Sequence, residues 1–90
     1  DGSLEGAFLA FMVHQSPYRP RLLRAVRELL HPGGWCTVLE WYRKETETGP
    51  PLERRIDPAE LTSLTEEAGF RTLGWRDLNG EQYMMMMRNG

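Results

Sequence analysis

Gly6-Ala7-Phe8-Leu9-Ala10-Phe11-Met12-Val13 is an eight-residue apolar run that stops at His14. It shows no polar alternation, so both of its faces are expected to be buried, the pattern of a central parallel strand. A second apolar run, Trp35-Cys36-Thr37-Val38-Leu39, stops at Glu40 and continues into Trp41. Between the two runs, Leu22, Leu23, Val26, Leu29 and Leu30 recur at helical spacing, with Arg19, Arg21, Arg24 and Arg27 on the opposite face. Ser16-Pro17 breaks the chain ahead of this helix, and Pro20 suits its first turn. Pro32-Gly33-Gly34 is expected to end the helix and reverse the chain. Strand, helix, tight turn and strand make a βαβ unit with a right-handed crossover. His14 and Glu40 then leave the same edge of the sheet on strands ~4.8 Å apart, where open α/β sheets bind ligands.

The rest of the chain extends this unit. Residues 43–56 are polar, charged and broken by Gly49-Pro50-Pro51, a length and composition that suit a lid. Asp57-Pro58-Ala59-Glu60 reads as a helix start, with Asp57 as cap and Glu60 completing a capping-box-like pair. Leu61, Leu64 and Ala68 form the buried stripe of that helix, and Gly69 ends it. Phe70 to Arg76 is the third strand, Asn79-Gly80 a hairpin turn, and Tyr83-Met84-Met85-Met86-Met87 an antiparallel fourth strand. Two of its methionines are expected to face a helix layer on each side.

Bulk properties restrict the function. Ninety residues make one small domain. A chain this size buries only about 60–65% of its unfolded surface, so a lone core is marginal. The net charge of -2 creates no basic field for nucleic acid. The single Cys36 excludes an internal disulfide. Only His14 and His31 accompany it, so no metal site is expected. That cysteine usage suits the cytoplasm. No apolar stretch approaches the ~20 residues of a membrane span, and no secretory leader is expected.

The order of elements and the local wording resemble the carboxyl-terminal half of the Rossmann-like S-adenosylmethionine-dependent methyltransferases, in particular the type 11 small-molecule group. The resemblance rests on four segments in order: Asp1-Gly2-Ser3 leading into the strand that ends at His14; Leu30-His31-Pro32-Gly33-Gly34; the strand closing on Glu40; and Pro58-Ala59-Glu60-Leu61 with Glu67-Ala68-Gly69-Phe70. It implies a partial methyltransferase-like α/β domain over residues 1–90, with sheet order 4-5-7-6 in the family's numbering. The family's glycine-rich cofactor loop and its ribose-binding acid have no matching positions here and are expected upstream of Asp1.

The resemblance also implies site residues. The segment after the first strand, His14 and Gln15, would lie beside the methionine end of S-adenosylmethionine and the acceptor. His14 is read as a base or acceptor-orienting group, or else as a strand-end histidine bonded to loop backbone. Glu40 is read as a contact to a polar acceptor or to the sulfonium charge, or else as a carboxylate capping the next loop. Trp41 and Tyr42 would wall an acceptor pocket together with Gln15, or pack against the lid. Arg43, Lys44, Arg54 and Arg55 suit a solvated loop. The implied function is the acceptor side of a small-molecule methyltransferase, not competent alone. The alternative is a non-catalytic dimerisation or scaffold module derived from that fold. The open edge of the Gly6-to-Val13 strand, an association hazard, predicts a homodimer through that edge.

Overall fold

Residues 2–90 are described by the computed structural model; the Asp1 part of the opening turn lies outside the described residues. The elements run β1 (Leu4–Ala10), α1 (Arg19–Leu29), β2 (Leu30–Trp41), α2 (Pro58–Glu67), β3 (Phe70–Asp77) and β4 (Gln82–Asn89), with 3-10 turns at Val13–Gln15 and Leu52–Arg54. They form one four-stranded sheet in the order β1-β2-β4-β3. β1 and β2 are parallel, and β4 is antiparallel to both β2 and β3. The strand–helix–strand–helix–hairpin succession read from the sequence is present.

The first strand is shorter than its apolar run. The ladder ends where the Phe11 amide donates to the Leu39 carbonyl at 3.0 Å. Phe11 has φ 60, a left-handed backbone that a bulky side chain rarely adopts, and Met12 already has helical dihedrals. Val13 and His14 therefore belong to the 3-10 turn and not to the strand.

The expectation that this strand is buried on both faces is also corrected. Leu9 is its one buried side chain, while Phe8 is 56% exposed. The cause lies in the layers. Register places Ala7, Leu9, Cys36, Val38, Glu40, Tyr83, Met85 and Met87 on one face, and the buried residues of α1 and α2, namely Leu23, Val26 and Leu61, join them in the core. The other face carries Phe8, Trp35, Thr37, Leu39, Met84 and Met86, which are exposed or half-buried. Among the described residues nothing covers it. The methionines divide accordingly: Met85 and Met87 are fully buried, whereas Met84 and Met86 are not packed under a second helix layer.

Two boundaries move. Leu30 is already extended (φ -91, ψ 145), so α1 ends at Leu29 and β2 begins before Pro32-Gly33-Gly34. That tripeptide forms a bulge: Leu4 pairs with Leu30, then Gly6 with Trp35. Leu29, at the end of the helix, is exposed rather than part of the apolar stripe. Asp57 occupies the cap position of α2 without making a side-chain capping bond. Its carboxylate instead accepts from the Arg43 amide at 2.7 Å, which pins the start of the 43–56 loop.

Candidate functional site

β1 and β2 run parallel with Ala10 opposite Leu39. The residues that follow them therefore emerge side by side, and the turn after Phe11 swings His14 under the end of β2. There His14 and Glu40, 26 residues apart, form a buried pair. The Glu40 carboxylate takes Nδ1 of His14 at 2.8 Å and the His14 amide at 2.9 Å. The Trp41 amide adds a third donor at 3.3 Å. Glu40 is fully buried and His14 is 4% exposed. Where the carboxylate is ionised it only accepts, so Nδ1 carries the hydrogen and, in the neutral ring, Nε2 holds the lone pair. The two expected readings of Glu40 merge here, since one carboxylate caps the following backbone and orients the imidazole.

Nδ1 is the ring nitrogen with a partner among the described residues, and Thr72 Oγ1 is the one sealed side-chain polar atom without one. Nε2 therefore keeps an open path outward. His14 lines a groove of about 510 Å³ together with Ser16, Arg19, Glu53, Arg54 and Glu60. Arg19 ties its walls together. Its guanidinium donates to the His14 carbonyl at 3.4 Å and the Arg54 carbonyl at 2.6 Å, and pairs with Glu60 at 3.5 Å. Glu60 also meets Arg43 at 3.8 Å. It thus bridges two arginines and completes no capping box. The sequence signal for Arg19 was present but ambiguous, because an arginine at a helix start reads as solvated.

The other expected site residues do not all converge. Gln15 is exposed beside His14. Trp41 and Tyr42 diverge to opposite faces of the sheet and do not wall one pocket. Trp41 lies on the open face, 6.2 Å from the Phe11 ring and 4.9 Å from the Arg55 guanidinium. Tyr42 joins Tyr83 (5.1 Å) and Trp75 (6.2 Å) on the helix-covered side. Its hydroxyl donates to Asp77 at 2.8 Å. Desolvation, then that bond and the Asp77 charge, push the Tyr42 phenol up to about 12. Burial, then the Glu40 charge, raises Tyr83 as well, and its hydroxyl donates to the Ile56 carbonyl. Both phenols are hydrogen-bond posts, not acids.

Arg55 overturns the solvated-loop reading for its own position. It is 4% exposed. It donates to the carbonyls of Pro50 (2.9 Å), Lys44 (2.7 Å) and Thr48 (3.2 Å) and to Thr46 Oγ1 (2.8 Å). The 43–56 loop is wound around this one guanidinium, which Trp41 covers. Cys36 is buried mid-strand and its thiol is pushed up to about 11 by desolvation. It is a packing residue. No group of three or more metal-ligating side chains forms among the described residues.

No protein-family model matches the chain, and no curated protein matches it. Solved structures do. A SAM-dependent methyltransferase from Aquifex aeolicus is 20% identical with a TM-score of 0.91, over 100% of this chain and 48% of that one. A putative type 11 methyltransferase from Sulfolobus solfataricus is 19% identical with a TM-score of 0.84, over 100% of this chain and 53% of its own. An O-methyltransferase of neocarzinostatin biosynthesis, NcsB1, solved with S-adenosyl-L-homocysteine and 1,4-dihydroxy-2-naphthoic acid, is 20% identical with a TM-score of 0.77 over 96% of this chain. The chain spans about half the length of the first two. At this identity the likeness concerns the fold, and the chain has the fold of one half, the carboxyl-terminal one, of a SAM-dependent methyltransferase.

Proposed function

We propose that this chain is the acceptor-side half of a SAM-dependent methyltransferase acting on a small molecule, and that it is not competent alone. The observation that carries this reading is the buried His14–Glu40 pair at the ends of adjacent parallel strands, beside the Arg19 groove. Methyl transfer to oxygen or nitrogen requires loss of a proton from the acceptor. An imidazole held by Glu40 with its Nε2 lone pair outward can take that proton. Gln15 is exposed next to it, and in this reading it faces acceptor and cofactor. The small-molecule class is supported by solved structures of this fold, one of which holds a dihydroxynaphthoic acid. A reducing cytoplasm suits the free Cys36, and among the described residues no helix is long and apolar enough to cross a membrane.

The described residues do not by themselves fit the whole cofactor. The turn after β1, Phe11-Met12-Val13, contains no glycine. Of the amides here and just beyond, Phe11 N is taken by Leu39, His14 N by Glu40, Gln15 N by Met12 and Ser16 N by Val13. Those four amides are not available to a carboxylate or a ribose. The glycine-loop half therefore has to come from elsewhere, in the same polypeptide or another. Calorimetry with S-adenosylhomocysteine tests this. The 90-residue chain is expected to show no saturable binding up to millimolar ligand. A chimera in which it replaces the matching half of the Aquifex aeolicus enzyme is expected to bind. Saturable binding by the isolated chain overturns the dependence on another half, and a folded chimera that does not bind overturns the methyltransferase reading.

A second reading, a non-catalytic assembly module, is favoured by one observation. Among the described residues the outer edge of β1 (Leu4–Ala10) has no neighbouring strand, and such edges recruit strands. Two copies related by a two-fold axis would pair β1 with β1 in antiparallel fashion and continue the sheet. Light scattering at micromolar concentration should then give a homodimer, and a strictly monomeric species overturns it.

A further inference from the structure

The end of the sheet opposite His14 carries a groove that neither reading uses. Residues 31–34 of β2 bulge out between the Leu4–Leu30 and Gly6–Trp35 pairings. Beside the bulge lies a groove of about 490 Å³, lined by Glu5, His31, Gly33, Trp35 and Arg88, a size that suits a small ligand. The Trp35 indole is its platform. A Cβ at Gly6 would stand 1.9 Å from the indole Cε2, so the ring rests against the Gly6 backbone, and Trp35 is still 44% exposed. Register continues the row across the sheet: Trp35 lies opposite Arg88, and Arg88 opposite Arg71. Neighbouring strands are ~4.8 Å apart, so two arginines follow the indole in one line. Both are exposed, and neither enters an ion pair among the described residues. Arg88 Nη1 donates to the Gly33 carbonyl at 2.9 Å, which ties the guanidinium to the rim of the groove. Like charges directly opposite each other destabilise a sheet, and an anion between them removes that cost.

We infer that this groove binds a purine nucleoside monophosphate, with the base stacked on Trp35 and the phosphate between Arg88 and Arg71. The order of the row, flat ring first and cations next, is the order of base and phosphate in such a ligand. Stacking on an aromatic ring recognises a base by its π-face, and arginine is the residue best shaped to take a phosphate. One dianionic phosphate matches the charge of the two arginines. Glu5 belongs to β1, on the other side of the indole from the arginines. It accepts an N–H or O–H of the nucleoside and turns a further phosphate away from that end. The site stands at the opposite end of β1 and β2 from the His14–Glu40 pair, so it rests on neither reading of that pair.

The indole N–H groups supply the test. Adenosine 5′-monophosphate is titrated into the 15N-labelled 90-residue chain near neutral pH. It should shift the Trp35 indole and leave those of Trp41 and Trp75 unmoved. Adenosine and S-adenosylhomocysteine, which lack the phosphate, and ribose 5-phosphate, which lacks the base, should each bind roughly ten-fold or more weakly. Arg71→Gln, at an exposed position, should weaken the monophosphate about five-fold or more. It should leave adenosine binding and the far-UV spectrum unchanged. Trp35→Leu should weaken the monophosphate and spare ribose 5-phosphate. Equal binding of the monophosphate and adenosine, equal binding of the monophosphate and ribose 5-phosphate, no binding, or shifts at Trp41 in place of Trp35 overturns the proposal. So does tighter binding of a single-stranded oligoadenylate at the same indole, which would make the row a nucleic-acid contact.

Discussion

Glu40 accepts three N–H donors in a site closed to water, so its carboxylate cannot be traded for an amide without loss. In Glu40→Gln one oxygen becomes an NH2 that confronts an N–H, leaving a buried donor unpaired at a cost of about 2 kcal/mol. For a domain of this size that lowers Tm on the order of 10 °C. Thermal denaturation of Glu40→Gln beside the exposed Glu53→Gln checks it, and equal melting temperatures would sink the clamp. Cys36 makes a second residue-scale prediction. Below pH 9 its thiol is protonated whether the chain is folded or not. Between pH 9 and about 11 the unfolded thiol ionises while the buried one keeps its proton. Stability should fall through that window and level off above it, and Cys36→Ala should lose this component in urea titrations. Arg55 makes a third. Arg55→Ala and Arg55→Lys both remove the fork that gathers Lys44, Thr46, Thr48 and Pro50. Tryptic cleavage after Arg43, Lys44 or Arg54 should accelerate at least ten-fold in both, and unchanged cleavage would show that the loop is held by something else.

At the scale of elements, β4 offers a comparison inside one strand. Met85→Ala opens a cavity under α2 and should cost about 2–5 kcal/mol in urea unfolding. Met86→Ala, one residue along and on the open face, should cost clearly less; equal losses would mean that the open face is packed after all. This alternation marks where the sequence stopped being informative. Met84 to Met87 are chemically identical, so nothing in the string says which pair is covered, and an apolar run cannot reveal whether the layer over its second face belongs to the same chain. The β1 run was legible as a strand because it lacks polar alternation, but its end was not, since the left-handed Phe11 leaves no glycine or asparagine as a sign. His14 and Glu40 were legible as strand-end polar groups. Their union depends on the register of β1 against β2, which a single sequence does not encode locally. Arg55 escaped because a buried arginine held by carbonyls, the Thr46 hydroxyl and an indole looks, in sequence, like any loop cation. Asp57 was read correctly as a helix start but not for its contact, because Arg43 competes for its carboxylate.

For the whole molecule, a four-stranded sheet with helices on one face and a free β1 edge is an incomplete solution to burying apolar surface. Phe8 sits on both liabilities, the bare face and the open edge. A charge there should suppress edge pairing. Phe8→Lys is expected to weaken self-association at least ten-fold by light scattering while leaving the far-UV spectrum unchanged, and a dimer that survives the substitution would place its interface elsewhere. The alternating methionines of β4 carry one more consequence. Thioethers are oxidised by peroxide according to their access to it, so this strand is its own record of exposure. Met84 and Met86 should become sulfoxides well before Met85 and Met87. In a cell extract, a chain whose Met84 and Met86 emerge unoxidised has spent its life with that face covered.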